Sequence, residues 1–182
     1  ARYYAQWAGA PYHVYGGRKG ANDYADDINT RSLMTNWLGG GSPYMPALQG
    51  KKVPIELSLA VHSDAGYNKD GKTTWGSLAI CTTNFNDGML NSGISRMTSK
   101  DLAKALLKNL VSDLRQQYGE FSERYLWDRN YSETRLPEVP AAIIETLSHQ
   151  SFPDMKIGQD PMGKFTIARS LYKTILRYVC TN

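Results

Sequence analysis

The chain has 182 residues, of which 41% are hydrophobic and 21% charged, and its net charge is +4. This is ordinary globular usage in a chain long enough to bury a core without staples, so disordered and fibrous classes are excluded. The mild positive charge comes without a run of five basic residues or an arginine–aromatic ladder, which argues against nucleic acid as a partner.

No apolar stretch is long enough to span a membrane, and the opening residues 1–9 lack the apolar core of a signal peptide. Cys81 and Cys180 read as two buried thiols in preference to one long-range disulfide. Twelve tyrosines against four phenylalanines fit an exported, carbohydrate-facing protein.

Residues 2–8 read as the tail of a helix that ends at Gly9, and Pro11 opens a short strand over 12–15 carrying His13. Gly16, Gly17 and Gly20 form a loop. A helix is predicted over 27–38, with Ile28, Leu33, Met34, Trp37 and Leu38 on its apolar face and the Gly39–Pro43 run as its stop. Strict alternation of Ile55, Leu57, Leu59 and Val61 with Glu56, Ser58 and Ala60 predicts a strand over 53–61. A second strand is expected over 75–83.

Leu102, Leu106, Leu110 and Leu114 recur every four residues and mark a helix over 98–118, with Thr98 and Asp101 as its capping box. Residues 140–147 form an apolar run without alternation, as in a strand covered on both faces. Asp160-Pro161 opens a last helix. Its expected inner stripe is Phe165, Ala168, Leu171, Tyr172, Ile175, Leu176 and Val179. Helices alternating with strands predict an α/β fold: a mostly parallel sheet with helices on both faces. An α/β domain ordinarily begins with a central strand, whereas this chain begins on a helix end. Residues 1–182 are therefore read as one domain lacking its first strand and most of its first helix.

Two of the predicted strands end in groups able to do chemistry, and ligands of open α/β sheets sit at such ends. One strand delivers His62, whose imidazole can ligate a metal or simply bond a loop. The other delivers Glu145, which can serve as acid and base or as an ion-pair partner. His149 follows Glu145 by four residues, a spacing with meaning only in a helix. Asp27 and Arg31 read as a helix face. There is no G-x-S-x-G elbow and no phosphate loop, and neither cysteine has a histidine nearby in sequence.

The order of these segments resembles the zinc-dependent N-acetylmuramoyl-L-alanine amidase family of the catalytic α/β type. The resemblance rests on Arg31 to Asn36, on Ser58 to Ala65 as a Ser-x-His-Ala-Asn variant with Asp64 near the usual Asn, and on Trp75 to Ala79. It continues through Ser99 to Ala103 and ends on Pro140 to His149. It implies that His62 is a zinc ligand and Glu145 the catalytic acid/base. It also implies peptidoglycan or muropeptides as substrate, and a location in the periplasm, the cell envelope or outside the cell.

The family's other two ligands are a His in a Gly-rich loop and a Glu in the first helix. No residue here matches either, and both are expected upstream of Ala1. Three protein ligands are the rule for catalytic zinc, so weak zinc binding is expected of this chain. Two rival readings are a zinc carboxypeptidase, with Arg135 on the substrate carboxylate, and a non-catalytic cell-wall binding module.

Overall fold

The computed structural model describes residues 1–181, which divide into two compact units. The first comprises residues 1–58, 82–99 and 129–141; the second comprises 59–81, 100–128 and 142 onward.

The first unit is helical. It contains α1 (Arg2–Trp7), α2 (Tyr12–Tyr15), α3 (Asp23–Gly39) and α5 (Ser132–Arg135). Its core gathers Ala5, Ala10 and Val14 against Tyr15, Leu33, Met34 and Trp37. The segment expected as a strand over 12–15 is a helical turn instead. Pro11 caps it, the Val14 N–H bonds the Pro11 carbonyl, and the rings of Tyr12 and Tyr15 meet edge to face. A local turn satisfies these four residues without a neighbouring strand, and His13 rides on it.

Helix α3 starts four residues earlier than its apolar pattern suggests, because the Asn22 side chain caps it through the Ala25 N–H. Buried Asp26 then accepts the N–H groups of Arg18 and Gly20 and so folds the glycine loop back on the helix. Arg31 lies on the helix face as expected, paired with Asp27 and with Glu133. Asn36 receives the Glu138 N–H and donates to the Leu136 carbonyl.

The second unit holds the sheet: β1 (Ser58–Asp64), β2 (Ser77–Cys81), β3 (Glu123–Asp128) and β4 (Ala141–Ser148), in the order β1-β4-β2-β3. Strands β2 and β3 are parallel, and β2 and β4 antiparallel. Strands β1 and β4 run the same way. The His62 carbonyl accepts from Thr146 Oγ1, and the Asp64 carbonyl accepts from the His149 N–H. The sheet is thus mostly parallel, as predicted.

Strand β1 begins five residues later than the alternation suggests. The backbone of Lys51, Lys52 and Val53 is committed to carbonyls of Trp37, Gly40 and Leu38 at the end of α3, and Pro54 has no N–H to give. Strand β3 was not anticipated.

Helix α4 (Met97–Tyr118) inserts Leu102, Leu106, Leu110 and Leu114, all fully buried, into the core. The helix starts at Met97, one residue before the expected cap Thr98. Thr98 Oγ1 donates to the Ser95 carbonyl, and Ser95 Oγ accepts the Met97 N–H.

After β4 come α6 (Phe152–Gln159) and α7 (Pro161–Thr181). Asp160 opens α7 as predicted, accepting the Met162 N–H and the Tyr118 hydroxyl. Helix α7 docks beside α4 through Asn109–Thr174 and Lys173–Asp113 contacts of 2.9 and 2.7 Å. Its buried residues are Gly163, Ser170, Leu171, Thr174 and Tyr178. Of the expected inner stripe, Phe165, Tyr172, Leu176 and Val179 face solvent instead. Both thiols are free. Cys81 is buried, and the loss of water pushes it up to about 11, whereas Cys180 is exposed rather than buried.

Candidate active site

One sheet face carries an apolar cluster of Leu78, Ile80 and Ile143, packed with Ala60 and Trp127. Side chains alternate along a strand, so the residue two beyond any member returns to the same face. Two beyond Ala60 is His62, and two beyond Ile143 is Glu145. Because β1 and β4 are neighbours running the same way, the two predicted residues share one face of adjacent strands. Both are half-buried, and Glu145 lies level with Leu78 of β2.

The strand ends around them are tied by ionic and backbone bonds. Asp64, two residues past His62, pairs with Arg124 Nη1 at 2.5 Å and accepts the Ala65 N–H at 2.8 Å. The Arg124 guanidinium lies 4.6 Å from the Trp75 ring centroid, a cation–π contact that fixes its plane. The Gly66 N–H bonds Gln150 Oε1, and the Gly66 carbonyl accepts from Ser148 Oγ. Gly66 has φ +117, and a Cβ there would lie 2.7 Å from the Trp75 ring, so only glycine lets this loop close on the indole.

Beneath lies Asp154, fully buried. It accepts the N–H groups of Trp75, Gly76 and Ser148 at 2.7, 3.0 and 2.9 Å, and the Ser151 hydroxyl at 2.9 Å. One carboxylate therefore locks the start of β2 to the end of β4.

Not every candidate joins this face. His149 Nδ1 lies 3.2 Å from Ser63 Oγ, and Ser63 alternates away from His62, so His149 belongs to the opposite face. That side holds a groove of about 400 Å³ lined by Val61, Leu147, Met155, Ile167 and Leu171 among others. Arg135 lies in the helical unit, 5.6 Å from the Phe85 ring.

Sequence reasoning missed Arg124 and Asp154, and named Trp75 only as the start of the segment 75–79. Arg124 sits on an unanticipated strand, and Asp154 in an unanticipated helix. The Ser151-x-x-Asp154 pattern is a helix-start signal that could have found Asp154, whereas Arg124 sits among Glu123, Tyr125 and Asp128 with no distinguishing signal.

No protein-family model matches this chain, and no curated protein matches it. Solved structures do. The N-acetylmuramoyl-L-alanine amidase from Clostridium difficile 630 superposes with a TM-score of 0.60 at 16% identity, over 85% of this chain and 66% of that one. The N-acetylmuramyl-L-alanine amidase Ami1 from Mycobacterium smegmatis gives 0.59 at 14%, over 85% and 61%. The catalytic domain of CwlV, an N-acetylmuramoyl-L-alanine amidase from Bacillus (Paenibacillus) polymyxa var. colistinus, gives 0.52 at 12%, over 93% and 90%.

This chain has the fold of the N-acetylmuramoyl-L-alanine amidases. At these identities the likeness is one of fold, and the chain spans less than two thirds of the first two amidases. The amidase fold agrees with the sheet and helices expected from the sequence.

Among the described residues, no three His, Cys, Asp or Glu side chains converge as a metal site. His62 supplies one imidazole, and its neighbour Asp64 is committed to Arg124. This donor set does not fit a complete catalytic zinc site, which needs three protein ligands.

Proposed function

We propose that the protein is a peptidoglycan hydrolase that cleaves the amide between N-acetylmuramic acid and L-alanine, with Glu145 as its acid/base. The observation that supports this reading is the presence of His62 and Glu145 on one face of adjacent strands within an amidase fold. A carboxylate half-buried beside an apolar cluster is suited to accept a proton from an attacking water. It then delivers that proton to the departing alanine nitrogen, so that the muramoyl lactyl group leaves as a carboxylate and the peptide as a free amine. The Asp64–Arg124–Trp75 assembly holds the end of β1 rigid, which keeps His62 at a fixed distance from Glu145.

We further propose zinc as the metal, with His62 as one of its ligands, and an exported location where peptidoglycan is accessible. No helix among the described residues is long and apolar enough to cross a membrane. With His62 as the one ligand proposed in this chain, it is expected to retain much less than one equivalent of zinc after loading and gel filtration, as read by elemental analysis. A full equivalent retained would overturn that ligand count.

Product analysis on purified muropeptides tests the main reading. A sugar with a free lactyl carboxylate, together with a peptide bearing a new amino terminus on alanine, is the expected result. Release of single amino acids would instead indicate a carboxypeptidase. A second reading is a non-catalytic cell-wall binding module. Sedimentation with cell walls and no product of either kind would establish it.

A further inference from the structure

Helix α7 has its large apolar residues on the side away from the core. The face it buries carries Gly163, Ser170, Leu171, Thr174 and Tyr178. The opposite face carries Met162, Phe165, Tyr172, Leu176 and Val179, which are 50, 57, 63, 47 and 40% exposed. With the exposed Arg169 these positions step along the helix by three, four, three, four and three residues. That is an unbroken 3.5-residue repeat, the seam of a two-helix coiled coil. A single helix turning every 3.6 residues needs no such register to dock on its own sheet. An outward stripe of this kind, apolar but for Arg169, marks an interaction surface.

The stripe is complementary to itself in one direction only. An antiparallel copy, related by a two-fold axis passing between Arg169 and Tyr172, brings Met162 against Val179 and Phe165 against Leu176. The same axis lays Arg169 on the Tyr172 ring of the partner, a cation–π pair made twice. A parallel copy would stack Arg169 on Arg169 within an apolar seam, which is strongly unfavourable. Taking such side chains at about 200 Å² each and the fractions exposed, the pair buries at most roughly 1,000 Å² in total, the size of a weak, reversible association.

We propose that α7 is a dimerisation helix, through which two copies of this chain associate antiparallel as a reversible dimer. The proposal does not depend on the catalytic reading. Sedimentation velocity over a concentration series is expected to show monomer–dimer exchange. Leu176→Glu should weaken association by tenfold or more, with the circular dichroism spectrum unchanged because the site is exposed. Orientation is tested by charge exchange. Arg169→Glu and Tyr172→Lys should each weaken the dimer, and the double variant should restore it, because the antiparallel seam then sets Glu against Lys. Restoration supports the antiparallel pair. A monomer at every concentration, a dimer indifferent to Leu176→Glu, or a double variant weaker than both singles would overturn it. The first of these results would assign the stripe to a different helix or to a lipid surface.

Discussion

Exchanging Glu145 for Gln is expected to lower muropeptide hydrolysis by about 10²–10⁴-fold, the usual contribution of a positioned acid/base. The substitution keeps the volume of the side chain and its place opposite Leu78 on β4, so the sheet should not change. What it removes is the ability to accept a proton at one step and return it at the next. The loss should therefore fall on kcat with KM nearly unmoved. The thermal midpoint should stay within a degree or two of the parent, which separates a chemical effect from a folding one. A variant that keeps its rate would remove Glu145 from the mechanism and leave it a structural acid. The rate is best read from new amino termini on muropeptides, since turbidity of whole walls also reports binding.

The second large effect is on stability. Asp154→Ala deletes the acceptor for three backbone N–H groups and one hydroxyl, all gathered on one fully buried carboxylate. A buried donor left unsatisfied costs about 1–3 kcal/mol, so the variant should lose on the order of 4 kcal/mol. For a chain of this size that corresponds to a fall in the melting midpoint of roughly 10 °C. Asp154→Asn, which retains one carbonyl acceptor, should fall between the two. Denaturant titration of the three proteins checks the order. Equal midpoints would mean that water replaces the carboxylate and that the lock is dispensable. The lesion should also reach the site, because Trp75, whose N–H Asp154 holds, supports the guanidinium that pairs with Asp64.

Elements whose periodicity matches how they are buried were legible in the sequence. The leucines of α4 and the apolar run of β4 are the clearest cases. His62 and Glu145 could be singled out because a polar group within an apolar run is conspicuous, although both lie inside β1 and β4 rather than at their ends. Most of what could not be read was decided by partners distant in sequence, residues 12–15 being the local exception. Strand β1 starts at Ser58 because the end of α3 captures the backbone of residues 51–53. Residues 12–15 coil into a turn because a local bond suffices there. Strand β3, with charged and aromatic residues intermixed, shows no clean alternation, and its register against β2 is itself irregular between Ser77 and Ala79. Arg124 went unnoticed with it. The apolar residues of α7 suggested a core stripe from composition, yet small and hydroxylated residues occupy the buried side.

The order β1-β4-β2-β3 also has a kinetic consequence. The two strands that carry His62 and Glu145 are neighbours in space, but the carbonyl of His62 meets a side chain 84 positions further along the chain. Strand β2, which flanks β4 on its other side, is separated from it by the whole of α4 and β3. No short fragment can assemble the pair, and loop-closure entropy delays it until most of the chain has collapsed. Helix α4 should gain structure early, and the chemistry last. A chain held partly unfolded would carry neither group in position, so the proposed hydrolytic activity should appear in one cooperative step with the native sheet.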